Sequence, residues 1–286
     1  MALIVLLTCG LVQSAWGQDQ VFAVEFDQGN NRFGTIDLYT GKFTQLGSIG
    51  SALVNDIAYS PDNILYGIEG SSLVIFNQQN GAITTVGNFG VSGIESLAFD
   101  PVSGQLYAAS QGSLYRVDRV TGVATLIGSF GVAPGLNDNG QNIRFAADGY
   151  LYDTNTSTNG TSTGLYRIDV TTGAATYLGE IQNYDNLVLA NAGNAMYGVT
   201  VNVTNSPSIQ QTLLTFDLSS LDDGLYPHDI TIIPLNGKAN IPSNFNFSGD
   251  QDAAVLVPEP SIHGLIAVGL GLAFILGGLG RKRRST

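Results

Sequence analysis

The stretch Leu106-Tyr107-Ala108-Ala109, continued by Ser113-Leu114-Tyr115-Arg116-Val117-Asp118, decides the fold because its pattern recurs along the chain. An aromatic residue holds the place of Tyr107 in each repeat, and successive aromatics are 44, 41, 45 and 45 residues apart, at Phe22, Tyr66, Tyr107, Tyr152 and Tyr197. An apolar residue precedes each of them, as expected of a strand. A period of about 40 to 45 residues is typical of β-propeller blades.

Further strand signals lie on both sides of this central pair. A short apolar strand precedes the aromatic in four repeats, at Asp56-Ile57-Ala58-Tyr59, Ser96-Leu97-Ala98-Phe99, Asn142-Ile143-Arg144-Phe145 and Asn186-Leu187-Val188-Leu189. Another strand follows and ends in an aliphatic residue and glycine, at Leu46-Gly47, Val86-Gly87, Ile127-Gly128 and Leu178-Gly179. The repeat therefore predicts an all-β fold with four strands per unit. A five-bladed propeller is the leading prediction, and six blades or an irregular sandwich are the alternatives.

The first repeat lacks its leading strand, since only Gln18-Asp19-Gln20 stand between the N-terminal segment 1–17 and Val21. The segment Asn244-Phe245-Asn246-Phe247 has a matching pattern near the C-terminus. We therefore predict that this C-terminal strand completes the first blade, which would leave no unpaired sheet edge at the seam.

The leading strands of a propeller line its axis, and aligning them produces a column of polar residues. Asp56, Ser96, Asn142, Asn186 and Asn244 occupy one position, and Arg144 occupies the position two residues further on in its strand. Residues two apart on a strand point the same way, so all six side chains are predicted to face the central channel. Two interpretations follow: the groups satisfy one another and trapped water, or they bind a small polar ligand or cation.

Most other acidic positions have a local explanation. The spacing Asp-x-x-x-Gly recurs at Asp37 to Gly41, Asp118 to Gly122 and Asp169 to Gly173, and Asn77 to Gly81 keeps it. Such hairpins need a side-chain oxygen to hold the turn and a glycine for positive φ, so these are predicted turn residues and no metal site is assigned. Asn137-Asp138-Asn139-Gly140 resembles a calcium loop only weakly, because it lacks the spaced carboxylates and the closing Glu.

Signals for catalysis are sparse. His228 is the one histidine outside the apolar C-terminal stretch, and neither a phosphate-binding loop nor a dinucleotide fingerprint is present, so no cofactor and no catalytic residue are assigned. Two functions are considered: a binding or structural role is the leading one, and an extracellular glycan hydrolase or lyase is the alternative. Glu25, Glu69 and Glu95 would be its candidate acids, because Glu25 and Glu69 share one repeat position and Glu95 begins a leading strand.

The C-terminus carries a three-part signal. Val257-Pro258-Glu259-Pro260-Ser261 precedes an uncharged stretch from 262 to 280, which ends at Arg281-Lys282-Arg283-Arg284. Nineteen residues at about 1.5 Å each are just long enough to cross a bilayer, and the basic cluster is expected to stay in the cytoplasm. This tail resembles a PEP-CTERM sorting domain, which in Gram-negative bacteria is processed by exosortases. The resemblance implies cleavage near Pro258 to Pro260 and transfer to the cell surface or an exopolysaccharide matrix.

The N-terminus also predicts export. Ala2 to Val12 is an apolar segment, and Ala15 and Gly17 fit a signal-peptidase site before Gln18. Cys9, the single cysteine, lies within this peptide, so the mature chain is predicted to have no thiol. The formal net charge is −12, and four of the eleven basic residues belong to the tail, which makes nucleic acid a poor partner for the exported part.

The predicted organisation is a signal peptide at 1–17, a propeller-like domain at 18–250, a linker with the Pro-Glu-Pro motif at 251–261, a transmembrane helix at 262–280 and a basic cytoplasmic tail at 281–286. The predicted partners are signal peptidase, exosortase, the membrane before processing and extracellular polysaccharide. The long connections Asn155 to Thr163 and Val201 to Gln211 are rich in Asn, Ser and Thr, which suits glycan hydroxyls. A binding or structural role at the cell surface or in the matrix is the leading function.

Overall fold

A computed structural model of the chain describes residues 20–25, 30–37, 43–110, 112–131, 142–146, 148–156, 162–182, 184–192, 195–202, 210–216, 228–229, 232–234 and 254–256. The first seven strands are β1 Gln20–Glu25, β2 Asn31–Asp37, β3 Phe43–Gly50, β4 Val54–Tyr59, β5 Leu65–Glu69, β6 Ser72–Phe76 and β7 Ile83–Asn88. The next eight are β8 Ser96–Phe99, β9 Leu106–Ser110, β10 Ser113–Val117, β11 Ala124–Ser129, β12 Asn142–Phe145, β13 Leu151–Thr156, β14 Ser162–Ile168 and β15 Ala175–Gln182. The last six are β16 Tyr184–Ala192, β17 Ala195–Asn202, β18 Gln210–Phe216, β19 His228–Asp229, β20 Ile232–Pro234 and β21 Ala254–Leu256.

The described strands form five sheets, which we number as blades one to five. Blade one has the order β21-β1-β2-β3, blade two β4-β5-β6-β7, and blade three β8-β9-β10-β11. Blade four contains β12-β13-β14-β15 with β19 added in parallel to β15, and blade five contains β16-β17-β18-β20. The other strand pairs are antiparallel, so the predicted all-β architecture of four-stranded antiparallel sheets is confirmed.

The inner strands of the five blades contact one another in a closed circle. β4 contacts β8, β8 contacts β12, β12 contacts β16, β16 contacts β21, and β21 returns to β4. Each sheet therefore extends outward from a common axis, which is the arrangement of a β-propeller.

The hydrophobic core lies between neighbouring blades, because alternate residues of a strand face opposite sides of its sheet. In β5, Leu65 packs in the cluster that joins blades one and two, whereas Tyr66 packs in the cluster that joins blades two and three. Tyr107 lies in the next cluster, between blades three and four. The repeated aromatic position thus contributes one ring to each of these blade contacts.

The ring has two unlike faces. Connections between second and third strands, such as Gly70-Ser71 in blade two, lie on one face together with the links between blades, such as residues 89–95. We call this the hairpin face. Connections between first and second strands, and between third and fourth strands, lie on the opposite face, which we call the turn face; examples are residues 60–64 and 77–82.

Glycine explains how the fourth strand of one blade fits against the next blade. A Cβ on Gly87 would lie 2.0 Å from the carbonyl oxygen of Thr121 in the following blade, a distance that no real Cβ contact has. Close to this contact, the Ala124 amide donates to the Phe89 carbonyl at 2.8 Å. The same arrangement joins blades three and four, through Gly128, Thr172, Ala175 and Phe130.

A C-terminal strand pairs with β1, as the prediction of ring closure requires, but its residues differ from the predicted ones. Val21 pairs with Leu256 and Ala23 with Ala254, in the segment that was predicted as a linker. The predicted closing segment at 244–247 lies outside the described residues. The apolar triplet of β21 carries no polar residue at its start, which is why alignment on the polar column favoured the earlier segment.

Candidate functional site

Three of the six predicted channel residues lie together near the axis of the ring, toward the hairpin face. Asp56 belongs to β4, Ser96 to β8 and Arg144 to β12, so they come from three consecutive inner strands. All three are buried, with relative exposures of 1%, 0% and 3%. The repeat places Asp56 and Ser96 at matching positions, so the closed ring brings them side by side.

Asp56 accepts hydrogen bonds at both carboxylate oxygens. Its Oδ2 accepts from the Ser96 hydroxyl at 2.8 Å and from the Leu97 amide at 2.8 Å, and its Oδ1 accepts from the Ile57 amide at 2.8 Å. These bonds join blade two to blade three at the axis. They also supply the hydrogen bonding without which a buried carboxylate would be very costly.

Arg144 completes this network from blade four. Its Nη2 lies 2.6 Å from Asp56 Oδ1 and its Nη1 lies 2.9 Å from Asp56 Oδ2, so the ion pair is bidentate. Nη1 also donates to the carbonyls of Leu97 and Ile143, at 2.7 Å in each case. In addition, the Ser96 hydroxyl accepts from the Ile143 amide at 3.0 Å. We call Asp56, Ser96 and Arg144 the axial network.

The groups of the axial network bond to one another, as in the first interpretation, although the buried Nε of Arg144 has no hydrogen-bond partner among the described residues. Both oxygens of Asp56 are already engaged by Arg144 and by amide or hydroxyl donors. A cation could use this carboxylate only by displacing the guanidinium. Binding of a ligand at these residues stays a prediction.

The other three predicted channel residues differ in how they are placed. Asn142 keeps the register position of Asp56 and Ser96, and its backbone amide donates to Asp153 Oδ1 at 2.9 Å. In β16 the register pairs Val188 with Val199 and Ala190 with Tyr197, and an irregularity between Asp185 and Val188 contains Asn186. The strand is therefore shifted by two residues from the repeat alignment. Asn244 lies outside the described residues.

Asp153 is a buried acid that the repeat analysis did not single out. It lies in β13 with a relative exposure of 0%. Its Oδ1 accepts a hydrogen bond from the backbone amide of Asn142, and its Oδ2 has no hydrogen-bond partner among the described residues. Burial raises the pKa of Asp153 to about 8, the amides of Asn142 and Thr154 oppose this, and the negative charge of Glu95 adds to it. Asp153 is therefore largely protonated at neutral pH.

The signal that could have identified Asp153 lies in the repeat itself. Asp153 pairs with Ile143, whereas the corresponding residues opposite Ile57 and Leu97 are Gly67 and Ala108. A carboxyl group at a position that other blades fill with a small residue is an exception to the pattern. Such an exception within a repeat marks a position to examine.

The candidate acids of the hydrolase alternative are spread over three blades. Glu25 ends β1, Glu69 ends β5, and Glu95 directly precedes β8, so all three lie toward the hairpin face. Glu95 interacts electrostatically with Asp153. Asp153, the partner in this electrostatic pairing of carboxyl groups, is closed to solvent.

The acidic turns have the predicted role. Asp118 Oδ1 accepts from the Val120 amide at 2.8 Å, and the Gly122 amide donates to the Asp118 carbonyl at 2.8 Å, with φ of +80° at Gly122. The turns that begin at Asn77 and Asp169 have the same bonds, and so does an unpredicted turn at Asp100. The described residues contain no group of three or more His, Cys, Asp or Glu suited to a metal ion. The segments 137–140 and 38–41 lie outside the described residues.

Several predicted features of the two ends also fall outside the description. These are the signal peptide, the Pro-Glu-Pro motif with its basic cluster, and the helix at 262–280. Within the described part of the chain, no helical segment has the length and apolarity needed to cross a bilayer.

Comparison with known proteins gives likenesses of fold only. No family model matches the chain, and no curated protein matches it. A protein of unknown function from Bacteroides thetaiotaomicron is 18% identical with a TM-score of 0.48, over 72% of this chain and 54% of the other. TolB from Acinetobacter baumannii is 14% identical with a TM-score of 0.48, over 76% and 54%, and a gluconolactonase from Xanthomonas campestris is 14% identical with a TM-score of 0.43, over 73% and 70%. The chain thus spans about half the length of the first two proteins, and the description of the ring rests on its own strand pairing.

Proposed function

We propose that this chain is an exported β-propeller that an exosortase sorts to the cell surface or extracellular matrix of a Gram-negative bacterium. The observation that carries the proposal is the position of β21. The closing strand ends at Leu256, two residues before Pro258. Cleavage at Pro258 to Pro260 would therefore remove the apolar stretch and the basic cluster while the ring of five sheets keeps its last strand.

At its destination the propeller acts as a binding or structural module in contact with exopolysaccharide. Two observations favour this role over glycan cleavage. The carboxylate of Asp56 is engaged by Arg144 in the axial network, and the acid with the raised pKa, Asp153, is closed to solvent. General acid catalysis requires a proton donor within hydrogen-bonding reach of the substrate, and a fully buried carboxyl does not offer this.

The sorting step is tested by the mass of the released protein. The full chain is expressed in a Gram-negative host with and without an exosortase gene, alongside a variant in which Pro258 and Glu259 are both replaced by Ala. We expect a surface or medium form that begins at Gln18 and ends near Pro258 to Pro260 only with the exosortase and the intact motif. A released form that still contains residues 262–286 would contradict the proposal.

The binding role is tested on the processed form from that host. Glycan arrays and a reducing-sugar release assay are run on the same preparation, with Glu69→Gln as a matched variant. Binding without release of sugar, unchanged in Glu69→Gln, is the expected result. Sugar release that Glu69→Gln abolishes would instead establish the hydrolase alternative.

A further inference from the structure

The direction of the closing strand determines where both ends of the ring emerge. β21 is antiparallel to β1, and Leu256 pairs with Val21 near the beginning of β1. β1 is the second strand of its blade, and second strands begin at the turn face, as Leu65 does where it pairs with Tyr59 in blade two. The chain therefore enters β1 and leaves β21 at the turn face.

The exit point is also close to the centre of that face. β21 is an inner strand and contacts the inner strands β4 and β16 on either side of it. Any segment that follows Leu256 therefore starts from the middle of the turn face rather than from its rim.

We propose that the turn face is the surface that lies against the lipid bilayer while the anchor is uncut, and that the hairpin face points away from it. This inference rests on the proposed function, because it takes residues 262–280 as the membrane span. Five residues, 257–261, separate β21 from that span. Fully extended they reach about 17 Å, which is about the length of one of the short strands that run from one face of the ring to the other. A propeller on so short a central tether cannot turn its other face to the membrane.

The side chains of the turn face are suited to lie near the bilayer without binding it tightly. Val102 and Val120 project from its turns with relative exposures of 90% and 84%, and Tyr150 is 43% exposed. The turn carboxylates Asp100 and Asp118, which sit beside these valines, would repel anionic lipid headgroups. The tether therefore sets the orientation, and the domain is free to leave once the tether is cut.

The orientation gives the long polar connections a direction. β13 ends at Thr156 and β14 begins at Ser162, and β17 ends at Asn202 and β18 begins at Gln210. Both connections join second to third strands, so their strand ends lie on the hairpin face. The strand ends that flank these connections thus point away from the bilayer even before cleavage.

The test uses quenching by lipids in the chain from Gln18 to Thr286, which lacks the apolar N-terminal segment and the single cysteine, Cys9. Val120→Cys on the turn face is compared with Leu53→Cys, which follows blade one on the hairpin face and replaces a side chain that is 54% exposed. Each is labelled with a fluorophore and reconstituted in phosphatidylethanolamine and phosphatidylglycerol liposomes that contain a headgroup spin label. We expect at least twofold stronger quenching at position 120 than at position 53.

Two outcomes would overturn the orientation, and flotation separates them. If this chain does not float with the liposomes after carbonate extraction, the proposed anchor is wrong and the orientation falls with it. If the chain floats but quenching is equal at both positions or stronger at position 53, the anchor stands and the orientation alone is wrong. Val102→Cys serves as a second turn-face probe in case labelling at position 120 perturbs its turn.

Discussion

At the scale of single residues, the axial network depends on one cation that no other blade supplies. Arg144 occupies a position that blades two and three fill with Ala58 and Ala98. Its guanidinium reaches back along the axis to Asp56, two positions earlier in the repeat, because an arginine side chain is long enough to do so. One large residue thus links blade four directly to blade two, at a position where blades two and three carry alanine.

Replacing Arg144 tests how much the ring relies on this ion pair. Arg144→Met leaves the Asp56 carboxylate buried without its counter-ion, and removing one partner of a buried pair costs about 3–5 kcal/mol. Arg119→Met is the matched control, since Arg119 lies 2.6 Å from the exposed Asp62 and such pairs contribute about 0–1 kcal/mol. Urea unfolding followed by far-UV circular dichroism measures the free energy of unfolding of both variants. Equal losses in the two variants would mean that the axial pair is not specially important.

The buried acid Asp153 predicts a pH dependence of stability. Its pKa is about 8 in the folded protein and about 3.9 in an unfolded chain, so the folded form binds the proton more tightly. The stability contributed by this proton is complete below pH 4 and is lost as pH rises toward 8. The free energy of unfolding therefore falls by up to about 1.4 kcal/mol per pH unit in this window from this group alone.

Asp153→Asn isolates that contribution. An amide does not titrate, so the variant should gain stability relative to the unmodified protein as pH rises from 4 to 8, and the difference should level off above pH 8. Thermal or urea unfolding at one-unit pH intervals gives the difference curve. A difference that stays flat from pH 4 to 8, or that runs in the opposite direction, would refute the raised pKa.

At the scale of elements, the glycines of the fourth strands fix the distance between blades. Gly128→Ala places a Cβ 2.0 Å from the Thr172 carbonyl, so a backbone shift is required and a loss of about 1–3 kcal/mol is expected. Thr125→Ala, at an exposed position of the same strand, should change the stability by roughly 0.5 kcal/mol or less. Melting temperatures of the two variants check the expectation. Tolerance of Ala at position 128 would show that the blades separate easily.

Strand patterning made most elements predictable, but not the register of every one. Blades two, three and four follow the repeat because a polar residue, an apolar core residue and an aromatic recur at fixed distances. In β16 the pairing is offset by two residues from the repeat alignment, because Ala190 and not Val188 pairs with Tyr197. The irregularity between Asp185 and Val188 accounts for one extra residue, and a bulge of this kind leaves no mark in an apolar-polar pattern. Ala254-Val255-Leu256 was missed for a related reason, because three apolar residues are too few to identify a strand.

The axial network was predictable in part. Repeat alignment placed Asp56 and Ser96 in one column, and the structure joins them by a hydrogen bond. The direct pairing of Asp56 with Arg144 depends on the reach of one side chain across the ring, which sequence spacing does not encode. The burial of Asp153 depends likewise on how closely blades three and four pack.

At the scale of the whole molecule, the ring is closed by strands from its two ends. A chain that ends at Ala253 would lose β21 and leave the inner edge of β1 unpaired, whereas a chain that ends at Val257 keeps it. We expect the shorter chain to lose about 2–3 kcal/mol of its free energy of unfolding, which for a domain of this size lowers the melting temperature by roughly 5–10 °C. Both chains begin at Gln18, so the comparison isolates the closing strand. Identical melting temperatures would mean that β21 does not contribute to the ring.

The pairing of β21 with β1 also imposes an order of events on biosynthesis. More than 200 residues separate the two strands, so the first blade waits for its inner strand until nearly all of the chain has been made. A contact between such distant positions forms late and slowly. If the chain is exported as proposed, the ring would remain open during translocation until residues 254–256 had crossed the membrane. Closure of the first blade would then be one of the last steps before the proposed anchor is reached.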